Sequence, residues 1–136
     1  MAMLNITLRR TGDRLLQFTG QVIATVSSRN IAGTESDCWH EVELYITAGG
    51  KYVVAVGYRT GRNGELPNDE AVVLDTEDDV AEYLKNGIDP TEHLAFHQPD
   101  LQLGEDGERI RKDLTVRYRA AVSRILGSVG PEKIET

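Results

Sequence analysis

Cysteine is almost missing. Cys38 stands alone in 136 residues, so no disulfide can close within the chain, and no zinc site can rest mainly on thiolates. No stretch approaches the roughly 20 consecutive apolar residues that a membrane-spanning helix needs, and no apolar run follows the first residues as a secretory signal would. A chain with these absences suits a reducing, cytoplasmic compartment away from membranes. Internal repeats, low-complexity tracts and Pro/Ser-rich linkers are lacking too. We therefore expect one domain over residues 1–136, mainly sheet over 1–75 and helical over 76–127, with a flexible tail at 128–136. A chain of this length buries about 68% of the surface it exposes when extended.

What is present is charge, and it is unevenly spread. The net charge is -7. Residues 1–64 carry seven Lys/Arg against five Asp/Glu, residues 65–106 one against thirteen, and residues 107–136 seven against four. The acidity thus belongs to one middle segment, at -12, between two weakly basic ends.

Period-two alternation marks the strands. Leu4, Ile6 and Leu8 alternate with Asn5 and Thr7. After the polar turn Arg10-Thr11-Gly12-Asp13, a longer run puts Leu16, Phe18, Val22, Ala24 and Val26 on one face, with Gly20 marking a bulge or bend. A hairpin spans Trp39 to Arg59. A two-residue Gly49-Gly50 loop would pair Ile46 with Val53 and Val42 with Gly57. A three-residue loop pairs Ile46 with Tyr52, Leu44 with Val54, Val42 with Val56 and His40 with Tyr58, which keeps one face apolar, and it places a glycine at the left-handed position. Ala71 to Leu74 supplies a fifth strand, and short connections favour an antiparallel meander.

The rest reads as helix. Thr76 and Asp79 form an approximate capping box ahead of Val80, Leu84 and Ile88, with Gly87 at the exit. Asp89-Pro90-Thr91-Glu92 signals a second, short helix that Pro99 limits to about two turns. A third runs from near Asp106 to before Gly127, with Ile110, Leu114, Tyr118, Ala121 and Ile125 on one narrow arc. Acid-before-base pairs at a spacing of four join Glu105 to Arg109, Glu108 to Lys112 and Asp113 to Arg117, each worth about 0.3 kcal/mol. At about 30 Å this helix must cross the sheet or project and pair with a second copy. The expected fold is α+β: an antiparallel β-meander of about five strands, two to three helices packed on one face, and a long C-terminal helix.

Most chemical motifs fail on spacing. His93 and His97, four apart, would share a helix face as a metal pair does, with Glu92, Asp100, Cys38 or His40 as further donors. The metalloprotease pattern is excluded because Leu94, not Glu, follows the first histidine. Cys38 and His40 share a strand face, yet sequence neighbours seldom make a thiol–imidazole pair. The stretch from Gly57 to Gly64 holds Arg59 and Arg62 but lacks the Gly-Lys-Ser/Thr ending of a nucleotide loop. Asn5-Ile6-Thr7 matches a glycosylation acceptor but falls inside a strand. Asp75 to Asp79 and Asp100 to Asp106 lack the spacing and glycine of a calcium loop, and Asp78 and Asp79 are explained as partners of a helix N-terminus. We expect no cofactor.

With no catalytic constellation assembled, the sequence favours a non-catalytic accessory or protein-interaction module, homo-oligomeric, meeting a protein partner or itself. Trp39, Glu41, Glu43 and Tyr45 lie opposite Val42 and Leu44 and offer one interaction surface. Arg111, Arg117 and Arg124 on the C-terminal helix offer another. Nucleic-acid binding through Arg109, Arg111, Lys112, Arg117, Arg119 and Arg124, with Arg59 and Arg62, is disfavoured by the negative net charge and by the acidic partners of three of these side chains. A small ligand-binding or enzymatic domain would have to use His40, Tyr58, His93 or His97 as acid–base groups.

Overall fold

The computed structural model describes residues 3–29, 31, 37–62, 64–94 and 104–128, with the side chains of the last stretch described from 107 onward. Five strands, β1 (Leu4–Leu8), β2 (Leu16–Ser27), β3 (Cys38–Thr47), β4 (Tyr52–Thr60) and β5 (Asn68–Leu74), precede the helices α1 (Glu77–Asn86) and α2 (Gly104–Leu126). The strands pair antiparallel in chain order, as short connections require. The chain is α+β with a long C-terminal helix, as the patterning suggested.

The β3–β4 hairpin takes the three-residue loop. Ile46 pairs with Tyr52, Leu44 with Val54, Val42 with Val56 and His40 with Tyr58, and Gly50 supplies the positive φ of +84° that a side chain resists. One apolar cluster then joins the even-numbered residues Val42, Leu44, Val54 and Val56 to Val80 and Leu84 of α1 and to Tyr118, Val122 and Ile125 of α2. Leu44, Val80 and Leu84 are wholly buried, each contributing about 1.5–3 kcal/mol relative to exposure. The stripe of α2 is thereby satisfied within one chain. A smaller cluster of Cys38, Tyr58, Leu94 and Leu114 continues the core toward the start of α2.

β2 departs from expectation. Its bulge falls between Val22 and Ala24, at Ile23, not at Gly20. Upstream, Phe18 and Val22 share the side of Tyr45, with Val22 paired to Tyr45 and the Phe18 and Tyr45 rings edge-on at 5.4 Å. Downstream, Ala24 pairs with Leu44 and Val26 with Val42, so the extra residue transfers the apolar set to the other side. Gly20 is needed for a different reason: a Cβ there would lie 2.3 Å from the Ile46 carbonyl oxygen.

The sheet curls. β1 and β5 are opposite edges, yet the β1–β2 turn reaches β5: Thr11 N–H donates to the Asp69 carbonyl at 2.8 Å, and Asp69 N–H donates to Thr11 Oγ1 at 2.8 Å. Tyr45, Val53 and Ala71, on the odd-numbered side, are buried under this curl.

α1 is capped as its sequence implies, with Asp79 N–H donating to Thr76 Oγ1 at 3.1 Å. The short helix expected from Asp89 is absent among the described residues. Pro90–His93 form a turn, in which Thr91 N–H donates to Asp89 Oδ1 at 2.9 Å and Leu94 N–H to the Thr91 carbonyl at 3.2 Å. The side chain of Asp89 caps a turn as readily as a helix, and buried Leu94 anchors the segment to the core. Its continuation through Pro99, with His97 and Asp100, lies outside the described residues, as do the tail beyond 128 and the pairing of Glu105 with Arg109.

Candidate functional site

Two polar places emerge, one on each side of the sheet. The first is a crevice where His40 of β3, Tyr58 of β4 and Asn68 and Glu70 of β5 meet Ile88, Asp89, Glu92 and His93 from the segment after α1. Alternation explains the strand contributions. His40 pairs with Tyr58, Tyr58 with Asn68, and Val56 with Glu70, so all continue the row of Val42 and Val56 into polar residues. His40 is held at both backbone groups by Ser28: His40 N–H donates to Ser28 Oγ at 2.8 Å, and Ser28 N–H donates to the His40 carbonyl at 2.8 Å.

The rings pack tilted or edge-on. His40 lies 5.4 Å from Tyr58 and 5.0 Å from Tyr118, and Tyr58 lies 5.6 Å from His93. His40 is 2% exposed, and its Nδ1 has no hydrogen-bond partner. Burial, reinforced by nearby His93, lowers its pKa to about 4, so the ring is neutral at pH 7. Ligand atoms of Glu70, Glu92 and His93 all lie within 4.8 Å of one another. His93 Nε2 is 3.1 Å from Glu92 Oε1, and Tyr83 donates its hydroxyl to Glu70 Oε2 at 3.2 Å.

The thiol beside this crevice is not set up for nucleophilic work. Cys38 is 1% exposed, and burial raises its pKa despite a hydrogen bond with Tyr58. Cys38 pairs with Thr60 and His40 with Tyr58, and the His40 side chain packs toward Tyr58 and Tyr118.

Glu65, which the sequence did not single out, organises the neighbouring loop. Its carboxylate, 1% exposed, accepts from Tyr58 at 2.7 Å, from Thr60 at 2.9 Å and from Arg62 Nε at 2.7 Å. Arg62 also approaches Asp37 at 3.5 Å. The arginine of the Gly57–Gly64 stretch is thus used to neutralise a buried acid, not to cradle a phosphate. Only the alternation of Tyr58, Thr60 and Arg62 ahead of a lone acid could have hinted at this.

The second place is the concave, odd-numbered side. A cavity of about 230 Å³ is lined by Thr7 and Leu8 of β1 and by Arg9 just beyond it, together with Glu41, Glu43, Gly57, Arg59 and Asp69. Arg59 pairs with Asp69 at 2.6 Å and Glu41 at 3.4 Å. Glu43 has no ion-pair partner among the described residues; burial, with Glu43 beside it, pushes the Tyr45 hydroxyl up to about 12.

The sequence-expected surface residues fare differently. Trp39 is half-buried, donates to Glu41 Oε2 at 3.2 Å and carries the Arg29 guanidinium 4.3 Å above its ring. Glu41 is exposed and Glu43 half-buried, whereas Tyr45 is packed beneath β2. On α2, Arg124 is exposed, and Arg111 lies 3.7 Å from Glu108. Arg117 is 5% exposed, donating to Asp113 at 2.9 Å and to the Arg29 carbonyl at 2.8 Å. No helix among the described residues is long and apolar enough to cross a membrane. Against this geometry, comparison with known proteins finds no matching family model, curated protein or solved structure.

Proposed function

We propose that this chain is a non-catalytic protein-interaction module, cytoplasmic and homo-oligomeric, whose two helices cover one side of the sheet and leave the concave side to receive a basic segment of a partner. The observation that carries this reading is the pair Glu41 and Glu43 at the mouth of the concave cavity. Glu41 and Asp69 share Arg59, which leaves Glu43 as an acid that a lysine or arginine side chain of a partner can neutralise. A cavity of about 230 Å³ admits one such side chain and is small for a drug-sized ligand. Trp39, which donates to Glu41, adds an amphipathic contact of the kind interfaces favour.

The test is light scattering of the purified chain, combined with titration of a fluorescent arginine-rich peptide against wild type and Glu41→Lys/Glu43→Lys. Association beyond the monomer, and peptide binding that the double variant loses by at least about tenfold and that weakens with salt, are expected. A strict monomer that binds the peptide no better than its charge-reversed variant would overturn the reading.

A further inference from the structure

The crevice after α1 can do something that the interaction surface cannot. Glu70, Glu92 and His93 present two carboxylate oxygens and one imidazole nitrogen within 4.8 Å of one another. That donor set suits a first-row divalent ion of the zinc type, bound by three protein ligands with a fourth position left to water. Calcium and magnesium, which prefer all-oxygen shells, fit it poorly. Space makes a separate selection. Between its lining residues the crevice offers about 10 Å³, room for the one water that would complete the shell of an ion held by the three donors and not for an organic molecule.

Two neighbours support a built site. Tyr83 donates to Glu70 Oε2, which orients that carboxylate, as outer partners of metal ligands do. Independently, His40 lines the same crevice, is 2% exposed and keeps an unpartnered Nδ1. A buried polar atom without a partner is costly, and an occupant that carries water into this crevice would relieve it. The bland account, an ion pair of Glu92 with His93, gives no cation to the second acid, Glu70, and no partner to His40 Nδ1.

We propose that Glu70, Glu92 and His93 bind one zinc-type divalent cation, with water completing its shell in the crevice lined by His40. The ion ties edge strand β5 to the turn after α1, so it holds the Pro90–His93 segment against the sheet. The ligands come from separate elements, β5 and the turn after α1, while His97, the other histidine of the expected pair, lies outside the described residues.

The full-length chain, stripped with chelator, is titrated calorimetrically with zinc chloride, and cobalt chloride is followed by visible absorption. One equivalent should bind, raising the melting temperature and giving a cobalt band of low coordination number. Glu92→Gln and His93→Gln, both on the solvent-facing turn, should each weaken binding by at least about tenfold with unchanged far-ultraviolet dichroism. Glu82→Gln, an exposed acid on α1, should leave it intact. Glu70→Gln should behave like the other two, and should it fail to fold, the two turn variants still decide. No stoichiometric binding at millimolar zinc, or equal affinity in wild type and His93→Gln, would overturn the proposal.

Discussion

His40 illustrates how much a single side chain depends on what covers it. In the sequence it is one of three scattered histidines; in the fold it is a buried neutral ring with a pKa near 4, against about 6.5 in an unfolded chain. Between those values the unfolded state takes the proton more readily, so stability is complete above about pH 6.5 and falls as pH drops toward 4. The His40 share of that loss is up to about 3 kcal/mol. Urea unfolding of wild type and His40→Gln at pH 7 and pH 4.5 should show a smaller acid destabilisation in the variant; equal losses would mean that His40 is not the titrating group. Glu65 teaches the complementary lesson. Nothing in its own sequence neighbourhood tells that this lone acid will be buried, because that depends on Tyr58, Thr60 and Arg62 arriving around it from β4 and the loop beyond.

Among the elements, β2 was legible in extent but not in orientation. Its alternation reads as one continuous face, while pairing with β3 inserts Ile23 as an extra residue and turns the second half over. The inserted residue leaves no mark on hydropathy, since Val22, Ile23 and Ala24 are all apolar. Gly20 carried a real signal for a different cause: its missing side chain lets β3 approach. Gly20→Ala should destabilise the chain by about 2 kcal/mol through overpacking, whereas Gly49→Ala, whose Cβ would find its nearest neighbour at 3.9 Å, should stay within about 0.5 kcal/mol. Chemical unfolding of both variants checks this, and equal losses would contradict it. β5 begins at Asn68, three residues before its apolar run. Those residues are polar because their side chains serve other elements: the Asp69 carboxylate takes Arg59, and that of Glu70 takes Tyr83.

For the whole molecule, order of assembly and curl decide where protection lies. β3 is flanked by β2 and β4, and β4 by β3 and β5, and their even-numbered residues carry the main apolar cluster. β1, by contrast, is an edge strand whose residues are exposed or only half-buried. Hydrogen exchange should therefore be slowest for β3 and β4 amides, near the global unfolding limit, and markedly faster for β1. Uniform protection across the sheet would show that the curl locks β1 as firmly as the centre. Charge follows the same geometry. Arg117 of the basic helix is joined to Asp113 of that helix, while Asp75 answers Lys51 at the paired ends of β4 and β5 and Asp78, Asp79 and Glu82 remain exposed on α1.

Residue pattern specifies local features: five strands, two capped or periodic helices and the register of the β3–β4 hairpin. Each follows from side-chain period, turn chemistry or the requirement that one face be apolar, and all of these act over a few neighbouring residues. Tertiary structure alone decided the bulge at Ile23, the contact of Thr11 with Asp69, the burial of Arg117 and Glu65, and the meeting of His40, Glu70, Glu92 and His93. Those depend on which residues, distant in the chain, share a boundary with water or are cut off from it. Burial and pairing across such distances belong to the packed chain and leave no periodic trace in its sequence.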